Sequence, residues 1–228
     1  MQEVLYGGAA SGGKSDALLM AALQYVDVPG YAAILFRRSY ADLALPGALM
    51  DRAQEWLSGT GASWNDREKT FTFPCAYGDR RPTVSFGYLQ HENDKYRYQG
   101  SEFQFVGFDE LTQFTETQYR YLFSRLRRAH DAENVPIRMR AASNPGGVGH
   151  DWVYKRFFKE PGDRVFIPAK VDDNPHVDQE EYDRALQELD PITRAQLRHG
   201  DWSVRPEGGI LKREWWQRWG EGEPPQRL

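Results

Sequence analysis

The sequence predicts an α/β protein, a mainly parallel sheet covered by helices, with a small helical subdomain after about residue 171. Three observations carry this. A glycine-rich loop follows a short β-prone run and opens a helix. Continuous apolar runs of strand length alternate with stretches of helical periodicity, and the last third changes to paired helical segments. With 228 residues, 40% hydrophobic and 27% charged, the chain suffices for one well-buried domain and an appendage.

The elements follow in order. Glu3-Val4-Leu5-Tyr6 is β-prone and ends in glycines; after Lys14, Leu18, Leu19, Ala22 and Leu23 recur at helical spacing. "YAAILFRR" (Tyr31 to Arg38) is an apolar run of the kind buried in a parallel sheet, and the helical stretch after it is interrupted at Pro46-Gly47. From Trp64 to Leu89 the chain alternates, with "TFTFP" and "TVSFGYL" flanking a polar turn, which predicts a hairpin. "FQFVGFDE" (Phe103 to Glu110) is a strand ending in two acids. "TETQYRYLFSRLRR" then predicts a helix with Thr115 as N-cap and Tyr119, Leu122, Phe123 and Leu126 on one face. "IRMRAASNPGG" reads as a strand into a turn, "WVYKRFF" as a short helix and "RVFIPAK" as a strand. Helices begin at Asp178 and at Pro191, a first-turn proline. The expected division is a core over 1–170, a helical lid over 171–205 and a linker over 206–228.

Composition excludes several classes. The net charge of −4 is spread without a strongly basic segment, so nucleic-acid binding does not follow from charge. Cys75 is the only cysteine, which excludes an internal disulfide framework and a multi-cysteine zinc site. The five histidines show no ligand-like spacing, and no apolar run approaches the roughly eighteen residues of a membrane span. The opening Met-Gln-Glu-Val shows no signal peptide, and the expectation is a soluble cytosolic protein.

The chemistry centres on Gly8-Ala9-Ala10-Ser11-Gly12-Gly13-Lys14-Ser15, which matches G-x-x-x-x-G-K-[ST]. Glycines let successive backbone N–H groups turn around a phosphate at a helix N-terminus, where the helix dipole assists. Lys14 is expected to reach the terminal phosphates and Ser15 to hold Mg²⁺, making ATP and Mg²⁺ the expected cofactors. Asp109 ends a strand separated from the loop by at least one further strand, read as Tyr31 to Arg38, and is the expected metal acid. Glu110 beside it is placed to polarise a water, which points to hydrolysis. Taken alone, two acids at a strand end are a solvated terminus, and "SNPGG" an ordinary turn. Beside a phosphate loop, Ser143 and Asn144 lie where open α/β sheets bind ligands and could sense the γ-phosphate.

These residues resemble a known family. The loop "GGAASGGKS", the run "DKYRYQGSEFQFVGFDELTQFTETQYRYLFSRLRR", the turn "SNPGG", and "DDNPHVDQEEYDRAL" with "LRHGDWSV" are similar to the ATPase domain of the tailed-bacteriophage terminase large subunit. The loop is shared by many families; the order and spacing of all five segments are far more specific, and they span nearly the whole chain. The resemblance implies a RecA-like P-loop NTPase of the additional-strand, catalytic-glutamate type. It implies an ATPase motor that drives double-stranded DNA through a portal protein into a procapsid in the host cytoplasm. The implied motor works with a small terminase subunit and is active as a homo-oligomeric ring of about five subunits, the chain being a monomer in isolation. It makes Glu110 the water-activating base, Ser143 and Asn144 coupling residues, and the helical pair from about Asp178 to Gly200 a lid that shifts with nucleotide state.

A ring ATPase usually also needs an arginine from a neighbouring subunit to neutralise charge on the transferring phosphate. Arg97 in "KYRYQG" is the first choice, with Arg125 and Arg128, three apart on the expected helix, as alternatives; Arg37 and Arg38 are candidates within the same subunit. Any of these could instead be a solvated or structural arginine. Two departures from the family stand out. Many members carry a basic residue in the loop, whereas residues 9–12 are neutral here; members also have a few tens of residues before it, including an adenine-reading glutamine, so the sequence reads as trimmed. Large terminases continue into an RNase H-like nuclease, and no nuclease activity is expected of this sequence. Trp215, Trp216 and Trp219 form either a ridge at a domain junction or a helix packed on the lid. The rival readings are another RecA-like translocase or helicase, a small-molecule kinase, and a non-motor module in which nucleotide gates assembly.

Overall fold

At its centre the sheet is covered on both faces, which is why Ala32–Arg37 and Phe105–Asp109 read as apolar runs. The computed structural model describes residues 2–128 and 133–204. The strands are β1 (Gln2–Gly8), β2 (Ala32–Arg37), β3 (Ser63–Asn65), β4 (Thr70–Thr72), β5 (Thr83–Tyr88), β6 (Phe105–Asp109), β7 (Arg138–Ser143) and β8 (Val165–Ala169). They form one sheet of eight in the order β3-β4-β5-β2-β6-β7-β1-β8. Every pairing from β5 to β8 is parallel, and β3 and β4 add an antiparallel edge.

Strand alternation divides the core. In β2, Ala33 and Leu35 join the layer of α1 (Lys14–Leu23), α2 (Tyr40–Ala44) and α3 (Leu49–Leu57). Ile34 and Phe36 point the other way, into the layer of α4 (Glu116–Phe123) and α5 (His150–Tyr154). All five residues of β6 are buried, so a strand carrying Phe105, Val106 and Phe108 has no solvent face to alternate with. Helix starts are written locally. The Thr115 hydroxyl accepts from the Gln118 N–H while the Gln118 side chain returns to the Thr115 backbone. Asp178 caps α6 (Gln179–Leu186), and Asp190 caps α7 (Pro191–His199), whose Pro191 lies in the first turn.

Four expectations change. The strand between β1 and the acid-bearing β6 is β7; Tyr31 to Arg38 corresponds to β2, on the far side of β6. The expected hairpin is a three-stranded edge, because Trp64 of β3 packs on Phe71 with ring centroids 4.6 Å apart. The helix after Thr115 ends at Phe123, where the chain turns back to pair with Phe103. Phe103 N–H donates to the Arg125 carbonyl and Arg127 N–H to the Phe103 carbonyl, both at 2.9 Å, so Arg125 and Arg128 do not lie on the helix. The "WVYKRFF" segment is a short α-helix widening into a π-helical turn over Lys155–Lys159. The linker at 206–228, with its three tryptophans, lies outside the described residues. No helix among the described residues is long and apolar enough to cross a membrane.

Candidate nucleotide site

β1 carries the chain to the carboxyl edge of the sheet, and the glycine loop turns back over it. Gly8, Ser11 and Gly13 there have φ of 139°, 57° and 71°. At Gly8 a Cβ would lie 2.5 Å from the Ala169 carbonyl oxygen, so only glycine passes between β1 and β8. The Tyr6 hydroxyl donates to the Gly12 carbonyl at 3.0 Å and supports the loop from below. Ala9 N–H donates to Ala169 O at 2.9 Å and Ala10 N–H to Leu197 O of α7 at 2.8 Å. Asn174 Nδ2 donates to Ser11 O at 2.6 Å. Gly200, with φ 62°, ends α7 so close to the loop that a Cβ would lie 2.4 Å from Ala9 N.

Residues 10–15 open onto a cleft of about 440 Å³ whose walls also include Asp16, Arg52, Glu110, Asn144 and Asn174. Gly8 and Ala9, expected to hold phosphate, are not among its walls; they are tied to Ala169. The Lys14 ammonium is buried and donates to the Ala9 carbonyl. Burial, the largest influence, pulls its pKa below the ordinary lysine value, while Glu110 and Asp109 push the other way. Ser15 Oγ donates to Asp109 Oδ1 at 2.9 Å, joining residues 94 positions apart. Arg37 Nε donates to the other oxygen, Asp109 Oδ2, at 2.7 Å, so the acid is held from both sides.

Glu110 adopts φ 56°, ψ 56°, a left-handed conformation that costs an L-residue about 1–2 kcal/mol. The turn after it holds it there: Gln113 N–H donates to Glu110 O at 2.9 Å. Burial foremost, and then Asp109, raise the Glu110 pKa above the usual carboxylate value; Arg37, Lys14 and the Asn144 backbone N–H oppose them. Ser143, expected to face the ligand, is fully buried. Its Oγ accepts from Thr112 N–H at 3.1 Å and donates to Asn144 O at 2.9 Å, bracing the turn behind Glu110. Asn144 is the one of the pair that reaches the cleft, and its buried Oδ1 accepts no hydrogen bond.

The remaining arginines fall away from this cleft. Arg38 donates to Leu89 O at 2.8 Å and to Gln118 Oε1 at 3.1 Å, a structural tie between β2 and α4. Arg97 sits on a 3₁₀ helix (Glu92–Tyr98), half exposed, 3.2 Å from Asp94 and over the Tyr88 ring. Arg125 lies over Tyr121, and Arg128 is exposed beyond α4. Sequence reasoning missed Arg52, Thr112 and Asn174. Arg52 lay unmarked on the polar side of an amphipathic helix, and no local signal links Asn174 to Ser11.

The sequence matches, over residues 5–218, the family described as "Terminase large subunit, T4likevirus-type, N-terminal". A comparison with curated proteins found no match. Among solved structures, the large terminase of a thermophilic bacteriophage in complex with ADP aligns with a TM-score of 0.66 and 14% identity, over 88% of this chain and 48% of that one. The complex of the same terminase with ATP-gamma-S aligns with a TM-score of 0.63 and 13% identity, over 88% and 47%. The Thermus phage P74-26 large terminase ATPase domain aligns with a TM-score of 0.53 and 15% identity, over 88% of each chain. The chain thus spans about half the length of the first of these terminases and most of the P74-26 domain, and these likenesses place its fold with the large terminase ATPase domains. The loop, the acids on β6 and the match over 5–218 lead to one conclusion: the chain belongs to the terminase large subunit family, as its N-terminal domain.

Proposed function

We propose that this domain binds ATP in the cleft between the glycine loop and Glu110 and hydrolyses it to drive double-stranded DNA into a procapsid. The observation that carries the reading is the convergence of Lys14 and Ser15, at the start of α1, with Asp109 and Glu110, at the end of β6, across the intervening β7. The Ser15 hydroxyl and Asp109 carboxylate are hard oxygen donors and fit Mg²⁺. Bound there, Mg²⁺ would neutralise phosphate charge. Glu110 takes a proton from water, whose oxygen bonds to the γ-phosphorus while the bridging β–γ P–O bond breaks and ADP leaves with the electron pair.

The route from chemistry to motion is on the loop itself. Ala10 N–H bonds to the Leu197 carbonyl of α7, and an N–H claimed by a phosphate releases that carbonyl. Nucleotide occupancy thereby shifts the helical pair α6 and α7. The partners we assign are double-stranded DNA, a portal protein, a small terminase subunit and further copies of the chain in a ring of about five, acting in the host cytoplasm. Arg97, half exposed, is the arginine we assign to a neighbour's site. No nuclease activity is assigned to this domain.

The test is ATPase activity of wild type and Glu110→Gln across protein concentration, with and without double-stranded DNA and Mg²⁺. Hydrolysis is expected to rise with concentration and to vanish in Glu110→Gln while ATP still binds. Undiminished turnover by Glu110→Gln would overturn the mechanism. Binding without turnover in the wild type would favour a nucleotide-gated assembly module.

A further inference from the structure

We propose that Arg52 is a phosphate-binding group of this cleft, acting within its own subunit and exchanging Asp16 for the nucleotide's phosphates. The inference rests on reading the cleft as a nucleotide site. Of the described residues lining it, only Lys14 and Arg52 carry positive charge, and they face Asp16 and Glu110 within the same walls. A triphosphate adds several negative charges to an already balanced set. Lys14, which already faces Glu110 and Asp109, and a bound Mg²⁺ would leave part of that charge without a partner, and residues 9–12 of the loop are neutral.

Arg52 is held ready for such a ligand. It stands on α3, which is anchored through buried Leu49, Met50 and Ala53 against the layer that contains α1. Its side chain is 37% exposed, yet its Nε is buried and makes no hydrogen bond. The nearest acids are Asp16 Oδ1, 3.4 Å from Nε, and Glu55 Oε2, 3.6 Å from the terminal nitrogen Nη1. Both are ion-pair contacts at long range, and neither gives Nε a hydrogen bond. Asp16 directly follows Ser15 in the first turn of α1, so the arginine's partner stands at the edge of the anion site. A guanidinium is planar and offers several donors in a fork that fits phosphate oxygens, whereas the Asp16 carboxylate at 3.4 Å leaves Nε without a hydrogen bond. The buried donor gains an acceptor only when a ligand arrives.

A structural role makes a different prediction. If Arg52 merely clamps α3 to α1 through Asp16, removing either partner has the same effect. If Arg52 serves phosphate, Asp16 competes with the ligand, and the two removals act in opposite directions. The experiment is titration calorimetry of the protein with ATP-γ-S and with ADP, in Mg²⁺, for wild type, Arg52→Gln, Asp16→Asn and Lys14→Ala, with circular dichroism to verify folding. Arg52→Gln is expected to weaken ATP-γ-S binding roughly tenfold or more, the loss of one charge-assisted hydrogen bond, whereas Asp16→Asn binds as tightly as wild type or more so. Parallel weakening in both variants, or affinity within twofold of wild type in Arg52→Gln, overturns the proposal. Lys14→Ala separates the two readings: retention of full affinity there means the cleft is not the nucleotide site, whatever Arg52 does.

Discussion

Replacing Ser143 by alanine tests how the position of Glu110 is maintained. Ser143 Oγ is the acceptor for the N–H of Thr112, a residue 4% exposed, at 3.1 Å. In Ser143→Ala the Asn144 carbonyl keeps the Thr112 hydroxyl at 3.3 Å, so one group loses its partner: a buried backbone N–H. That orphan costs about 1–3 kcal/mol, and no new contact offsets it. The same bond ties the 3₁₀ turn Leu111–Gln113 to β7, and that turn keeps Glu110 left-handed. Its loss therefore lowers kcat while KM for ATP, set by the loop, holds. Urea unfolding at constant m value gives the stability change, and steady-state ATPase assays give the kinetic split. Thr112→Val keeps the N–H and its acceptor, and is expected to cost less, about 1 kcal/mol. A change under about 0.5 kcal/mol in Ser143→Ala, with kcat unaltered, would refute the idea that this hydroxyl braces the base.

Three further outcomes follow from the geometry. Glu3 is buried and takes Arg156 at 2.7 Å and 3.0 Å, Arg164 at 3.2 Å and the Tyr119 hydroxyl at 3.0 Å. Glu3→Ala leaves two arginines without their acid, and urea unfolding should show a loss of about 3–5 kcal/mol. Gly200→Ala combines φ 62° with a Cβ 2.4 Å from Ala9 N; at least about 1 kcal/mol of strain should unseat α7 and speed limited proteolysis between residues 171 and 204. Burial of Glu92 favours its neutral form, but hydrogen bonds from Lys95, Thr117 and Thr115 outweigh it and bring its pKa from 4.5 to about 2. A carboxylate with a depressed folded pKa stabilises above its unfolded value. The gap in thermal stability between wild type and Glu92→Gln should therefore be full at neutral pH and close as pH falls from 4.5 towards about 2.

What the sequence made legible was whatever a few adjacent residues determine. The glycine loop, the paired acids at the end of an apolar run, the caps at Thr115 and Asp178, and the first-turn Pro191 all stand in the structure where local chemistry put them. Long-range pairing was not legible. β3 is three residues long and has no signal of its own; it exists because Phe71 gives Trp64 a partner. The end of α4 is set by Phe103, some twenty residues upstream, which takes the backbone of Arg125 and Arg127 away from the helix. Ser143 and Asn144 are adjacent at a strand end, and alternation sends one side chain inward and leaves the other at the cleft.

Strand order explains why the site needs so many distant segments. The central run β2-β6-β7-β1 consists of parallel neighbours, each about 4.8 Å from the next, so their carboxyl ends form one short row. Along that row stand Arg37, then Asp109 and Glu110, then Ser143 and Asn144, then the glycine loop. A crossover after each strand is the condition for parallel pairing, and each crossover inserts a helix or an antiparallel edge between consecutive functional residues. Inserting β7 between β1 and β6 also sets the geometry of the acid. Asp109 is reached by Ser15 from the loop side and by Arg37 from the opposite side, one carboxylate oxygen each. An acid on the strand next to β1 would stand a strand's width closer to the loop and leave no row position for Asn144. The extra strand therefore makes room for Asn144 between the loop and the acids, and Asn144 and Glu110 both open into the cleft.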